Sequence, residues 1–207
     1  MSDITYTTPT VEQLLAIEAC REAARRYSYG VDRLAGDVMK SAYWPDGTDD
    51  HGVYVGNAWQ FCDHVVGSHG AWDWTMHTIF NHRVEIEPDG THARGEAYNV
   101  SYLFNADERR LSTWYGLYLD TYERRGDEWR ILHRVCVHHA DTSELVPDSM
   151  PIDASRFRQA DFDRPSSRRP IGPLCRASRR NAPPRIPPGS RSSTGTARCT
   201  GPTSTTH

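Results

Sequence analysis

The sequence predicts an α+β domain, and its order of elements is the main reason. Helical periodicity is concentrated before residue 70, whereas residues 75 to 139 are rich in β-formers interrupted by short turn signals. Helices first and antiparallel strands afterwards place the helices on one face of a sheet. The chain has 207 residues and is 37% hydrophobic, enough for one domain with a substantial core.

Residues 10 to 31 read as the first helix. Thr10 and Gln13 have capping-box spacing, and Leu14, Ile17, Cys20, Ala24, Tyr27 and Val31 recur at helical steps. Gly30 weakens the last turn, where the helix ends and delivers Asp32. A short second helix is expected over 34 to 43, ending before Trp44-Pro45 because a residue preceding proline is pushed out of helical geometry. Pro45 to Gly52 reads as a turn-rich connection, and 57 to 69 as a third helix. Strands are expected over 75 to 86, 91 to 104, 111 to 123 and 128 to 139. Glu87-Pro-Asp-Gly90, Ala106 to Arg110 and Arg124 to Asp127 connect them.

Charge divides the chain. Residues 164 to 207 carry nine Arg, eight Pro, no acid and no aromatic residue, so they cannot bury enough apolar surface to order a chain. This segment is expected to be a disordered tail. With one Lys (Lys40) against 23 Arg in the chain, it resembles the out-of-frame product of a GC-rich gene. Residues 1 to 163 hold 15 basic and 27 acidic residues, an acidic body that argues against nucleic acid as a partner. Residues 141 to 163, with Leu145, Val146, Phe157 and Phe162 as anchors, are expected to wrap the outside of the domain. No apolar run reaches membrane-spanning length and the first residues lack a signal-peptide pattern, so a cytoplasmic protein is expected. The five cysteines share no CxxC spacing and read as reduced thiols. Phosphate-binding glycine loops, nucleophile elbows and metal-ligand spacings are missing, so neither metal nor organic cofactor is expected.

Two frames carry the chemistry. Asp32 lies in Tyr27-Ser-Tyr-Gly-Val-Asp32-Arg33, at a helix end, and His77 lies in Thr75-Met76-His77-Thr-Ile-Phe-Asn81, early in a strand. A carboxylate that fixes one imidazole nitrogen leaves the other free to move a proton near neutral pH. Together with the closing phrase Leu119-Asp-Thr-Tyr-Glu-Arg-Arg-Gly-Asp-Glu-Trp-Arg-Ile131, these frames resemble the SnoaL-like branch of the NTF2-like superfamily. That branch includes scytalone dehydratase, hexachlorocyclohexane dehydrochlorinase and bile-acid 7α-dehydratase. The resemblance covers about residues 10 to 140 of a domain set at 1 to 140. It implies a cone-shaped α+β barrel in which Asp32 orients His77, and a cofactor-independent lyase or isomerase.

The same resemblance implies a pocket role for Tyr27, His51, Asn81 and His138, each of which also has a plainer reading as core, loop or strand residue. Tyr27 fits the apolar stripe of its helix. His51 falls where related dehydratases carry a tyrosine, and Asn81 lies two strand repeats past His77. His138 replaces an arginine and loses its permanent charge. Aromatic candidates for the wall are Tyr27, Trp44, Tyr54, Phe61, Trp72, Trp74, Tyr102, Trp114, Tyr115 and Tyr118, which suit a hydrophobic, ring-containing small molecule. Dehydration of an alicyclic, steroid-like or polyketide-like alcohol fits, with dehydrochlorination and ring closure left open. The alternative is a non-catalytic small-molecule-binding protein or an accessory subunit of an oxygenase. Large side chains on both faces of Trp114 to Leu119 predict a homo-oligomer, trimer favoured over dimer.

Overall fold

The structure is a computed structural model that describes residues 8–147, 153 and 156. The first helix, α1 (Val11–Asp32), begins with the expected capping box, Thr10 accepting from the Gln13 amide while the Gln13 side chain accepts from the Thr10 amide. It is followed by α2 (Gly36–Ser41), β1 (Tyr43–Asp50), β2 (Val55–Asn57), α3 (Ala58–Ser68) and a 3₁₀ turn at His69–Ala71. Four long strands complete the order: β3 (Trp74–Ile86), β4 (His92–Asn105), β5 (Arg110–Arg125) and β6 (Glu128–Leu145).

The sheet runs β2-β1-β6-β5-β4-β3 and is curved and unclosed. It is mixed, since β1 lies parallel to β6 while every other pair is antiparallel. One face carries Ala93, Ala97, Tyr118, Tyr122 and Ile131 into a core shared with Cys20, Ala23, Tyr27 and Val31 of α1 and Phe61, Cys62 and Val65 of α3. Small residues on β4 make room for the tyrosines of β5 that cross over them.

Several expectations are corrected. Pro45 to Asp50 is strand, not connection, and only His51 to Tyr54 turns. Pro45 is tolerated because the β1–β6 register slips between Tyr43, opposite Ile131, and Thr48, opposite His133, so no ladder bond is required of it. Helix α2 starts two residues later than expected because Leu34, at φ 50°, sits in the left-handed region. The three-residue β2 is too short for periodicity to reveal. Strand β6 continues past His139 to Leu145, which pairs with Arg110, so 141 to 145 extend the sheet and do not wrap it. Beyond them, up to residue 163, only Val146, Pro147, Asp153 and Arg156 are described, and the expected tail at 164 to 207 lies outside the described residues.

Two close approaches set the position of the site. A Cβ on Gly30 would come within 2.5 Å of Met39 Cγ and 2.7 Å of its amide, so glycine lets α2 pack against the last turn of α1. On the other side, Arg21 of α1 donates to the His82 carbonyl through Nη2 at 2.8 Å and Nε at 3.2 Å, pinning the helix across β3. Both contacts fix where Asp32 emerges.

Candidate active site

Asp32 ends α1, where the helix dipole disfavours a carboxylate by roughly 0.3–1 kcal/mol. It is compensated from β3. The His77 amide donates to both carboxylate oxygens, at 3.1 and 3.0 Å, His77 Nδ1 lies 2.7 Å from Oδ1, and the Thr75 hydroxyl donates at 3.0 Å. The imidazole and carboxylate are 8% and 14% exposed. With Nδ1 committed to Asp32, His77 Nε2 has no hydrogen-bond partner among the described residues. The His69 ring stands 6.1 Å from the His77 ring, a proximity that nothing in its sequence spacing signals.

Cross-strand pairing arranges the helix-facing side of the sheet in rows. His77 is in register with Ser101 and Trp114, and Ile79 with Asn99, Gly116 and His138. Ala97, Tyr118 and Cys136 form the next row, and Gly95, Asp120, Arg134 and Asp49 the one beyond. Gly116 is obligatory here: a Cβ would lie 2.0 Å from the Val137 carbonyl and 2.2 Å from the Trp114 indole, which folds over it.

The remaining predicted residues separate. His51 belongs to this side. Its Nδ1 hydrogen-bonds Asp49, whose carboxylate is fully buried and also accepts from the Tyr43 hydroxyl at 2.6 Å. The His51 ring stacks on Phe61 at 4.2 Å and lies 6.2 and 5.9 Å from the rings of Tyr27 and Tyr118. Tyr27 is in the core, 2% exposed, edge-on to Tyr43 and Tyr118. Burial first, then the neighbouring Tyr118, pushes its phenol well above the usual range, so Tyr27 is neutral.

Asn81 does not share the face of His77. The β3–β4 register shifts between Ile79 and His82, so Phe80 and Asn81 together oppose Tyr98 on the outer side, and Asn81 is exposed. The bulge breaks the two-residue alternation on which its placement rested. His138 does fall on the inner side, in register with Gly116, but its ring is 54% exposed and paired at 3.0 Å with Asp141. A bulge at His139 separates the adjacent histidines. Among the aromatic candidates, Tyr102 and Tyr115 lie on the outer face, in register with Met76 and Thr78 through β4, and Trp44 carries the guanidinium groups of Arg125 and Arg130 over its ring.

Sequence reading missed the charged centre beneath these rings. Arg134 and Asp120, both fully buried, form a two-pronged ion pair with Nε and Nη2 each 2.7 Å from a carboxylate oxygen. The guanidinium lies 4.0 Å from the Tyr118 ring and 4.6 Å from that of Tyr27. Burial pulls Arg134 down, but Asp120 and the surrounding tyrosines outweigh it and hold the charge. Arg134 Nη1 has no partner among the described residues. The only signal was a charged pair placed at core positions of two neighbouring strands. Buried Cys20 and Cys62 and half-buried Cys136 have thiols pushed up to about 12, chiefly by desolvation, and are inert as nucleophiles. Among the described residues no cluster of three or more His, Cys, Asp or Glu is placed to hold a metal ion.

The comparison with known proteins turns on this domain. Residues 12–135 match the model of the SnoaL-like domain. The chain belongs to the SnoaL-like family. Solved structures share the fold at low identity. A hexachlorocyclohexane dehydrochlorinase from Novosphingobium barchaimii LL02 superposes with a TM-score of 0.61 at 16% identity, over 69% of this chain and 99% of that one. A candidate scytalone dehydratase from Novosphingobium aromaticivorans DSM 12444 gives 0.57 at 18%, over 68% and 95%. An NTF2-like superfamily protein from Salmonella enterica serovar Typhimurium LT2 gives 0.55 at 16%, over 62% and 94%, which places the SnoaL-like chain in the wider NTF2-like fold. No match is found among curated proteins. No helix among the described residues is long and apolar enough to cross a membrane.

Proposed function

We propose that this SnoaL-like protein is a cofactor-independent lyase or isomerase in which His77, oriented by Asp32, removes a proton from carbon. The observation that carries the reading is the Asp32 carboxylate at the C-terminal end of a helix, held there by the His77 amide, His77 Nδ1 and Thr75. A group placed against local helix preference and compensated chiefly by the residue it orients marks a functional position, because natural chains break local rules chiefly at sites. Asp32 fixes the His77 tautomer, so Nε2 is the basic nitrogen, and the carboxylate stabilises the imidazolium formed when it takes the proton.

The substrate class follows from the walls. On the helix-facing side Trp114 is half-buried, Phe61 and Tyr118 pack in the core beneath, and Ser101 and Asn99 are the polar side chains of the neighbouring rows. That combination suits a hydrophobic, ring-containing small molecule, and dehydration of an alicyclic, steroid-like or polyketide-like alcohol is the reaction we favour. Dehydratase and dehydrochlorinase neighbours support this class of chemistry. In the reaction, His77 Nε2 takes the proton next to an electron-withdrawing carbonyl. The C–H electron pair forms the new double bond as the β-hydroxyl leaves, and a donor on the same side of the sheet supplies the balancing proton.

The test is a screen of ring-fused β-hydroxy ketones for loss of water, read by mass spectrometry, with wild type and His77→Gln side by side. Turnover in the wild type that vanishes in the variant supports the reading. Turnover unchanged by the substitution would end it.

A further inference from the structure

We infer that His51, held by the buried carboxylate of Asp49, is a second proton-transfer group, and that it supplies the acid half of the reaction whose base is His77. The inference rests on the proposed role of His77. Among the described residues, His51 pairs with Asp49, His77 with Asp32, His92 with Asp89, and His138 with Asp141, each through a ring nitrogen. Burial sorts them. In the last two pairs every side chain is at least 43% exposed, and such contacts contribute little. The His51–Asp49 pair is 16% and 0% exposed, the same class of environment as His77–Asp32.

A fully buried carboxylate is costly unless its lone pairs are used. Asp49 uses one oxygen for the Tyr43 hydroxyl and the other for His51 Nδ1. A loop histidine in water needs no such support. The aspartate fixes which nitrogen of His51 faces away, and that nitrogen, Nε2, has no partner among the described residues. Phe61 stacked on one ring face and the rings of Tyr27 and Tyr118 beside it restrain the imidazole in the plane this hydrogen bond dictates.

The other candidate donors are weaker. Tyr27 is fully enclosed and its phenol is pushed far up, so it can give up no proton. His138 is at the exposed end of its row and already engaged by Asp141. His51 instead stands over Tyr118, in the row of Ala97, while His77 is in the row of Ser101. Both side chains are on the helix-facing side of the sheet. That arrangement puts an acid for the carbonyl oxygen of a ring ketone on the side of the sheet from which His77 takes the carbon proton.

The step balances as an enolisation. His77 Nε2 takes the ring proton, the C–H electron pair shifts through the conjugated bonds to the carbonyl oxygen, and doubly protonated His51 gives its Nε2 proton to that oxygen. His51 is left neutral with its proton on Nδ1, facing Asp49, and solvent resets both rings. Here His51 is a catalytic residue, and Asp49 and Tyr43 are positioning residues.

The experiment follows hydrogen–deuterium exchange at the γ-carbon of a bicyclic conjugated enone in D₂O by NMR, with ¹⁵N spectra of the histidine rings in the same samples. Wild type should exchange and His77→Gln should not. His51→Gln should slow exchange by about 100-fold or more, the usual size for a general acid, and Asp49→Asn should slow it less. The neutral His51 ring should carry its proton on Nδ1 in wild type and lose that preference in Asp49→Asn. Exchange at the wild-type rate in His51→Gln overturns this proposal and leaves the role of His77 standing. A His51 proton on Nε2 overturns it whatever the exchange shows. No exchange in wild type removes the role of His77, and this proposal falls with it.

Discussion

Asp32 and His77 are joined through both backbone and side chain: the His77 amide bridges the two carboxylate oxygens while its Nδ1 meets Oδ1 at 2.7 Å. The amide contacts hold the carboxylate against the His77 backbone, so Oδ1 stays within reach of Nδ1 and fixes the tautomer of the ring. Asp32→Asn keeps the shape but offers one acceptor where two stood. It should reduce turnover of a confirmed substrate by about 100- to 10,000-fold, and His77→Ala should abolish it. Circular dichroism should show both variants folded. Near-normal rates in either would sink the proton-abstraction mechanism.

How far the sequence revealed this arrangement depended on what kind of signal each residue left. The helix that delivers Asp32 was legible because capping and apolar spacing are local properties, and the strand carrying His77 because β-formers cluster there. The side on which Asn81 falls was not, since one bulge between Ile79 and His82 reverses the alternation and leaves no mark in composition. Strand β1 was hidden by Pro45 and Gly47, which look like a turn and instead occupy a register slip against β6. The partnership of His51 with Asp49 was masked by the same misreading: in a loop the two would be solvated neighbours, whereas a strand turns Asp49 inward.

The Arg134–Asp120 pair gives a stability prediction. Removing one partner leaves an uncompensated buried charge, so Asp120→Asn or Arg134→Met alone should each cost about 3–5 kcal/mol. Replacing both by well-packed apolar residues should cost less than either single change, because no charge is then stranded. Urea unfolding of the two single variants and the double variant measures the difference. A double variant less stable than both singles would mean that the pair contributes more than its own neutralisation, through the tyrosine rings stacked around it.

His82 gives a pH prediction. Burial first lowers its imidazole from the ordinary 6.5 to about 4, with Arg134, Arg21 and Arg25 adding to the shift and Asp120 opposing it. Between those values the unfolded chain binds a proton that the folded chain refuses. The contribution is therefore fully present above pH 6.5 and is lost as pH falls towards 4. His82→Gln should flatten that part of the stability profile while leaving the midpoint of urea unfolding at pH 7.5 little changed. Parallel profiles for wild type and variant between pH 6.5 and 4 would show that His82 titrates normally.

The last prediction concerns the outer face of the sheet. Met76, Phe80, Tyr98, Tyr115 and Leu119 are between 38% and 58% exposed, and all point away from the helices on β3, β4 and β5. Val100, Leu117 and Val137 lie between them in register, so the apolar side chains form a continuous surface and not scattered single residues. Arg83, Glu85, Arg94 and Glu96 lie together towards one end of the strands, as expected for the charged rim of a contact. We propose that a second copy of the chain covers this face and that the protein is a homo-oligomer, trimer favoured over dimer. Sedimentation at micromolar concentration should give a multiple of the 23.5 kDa chain. Tyr98→Arg with Leu117→Arg should reduce it to a single chain, because each arginine would have to be desolvated at the centre of the contact. A wild-type protein that sediments as one chain would refute the assembly and leave the apolar face without a partner.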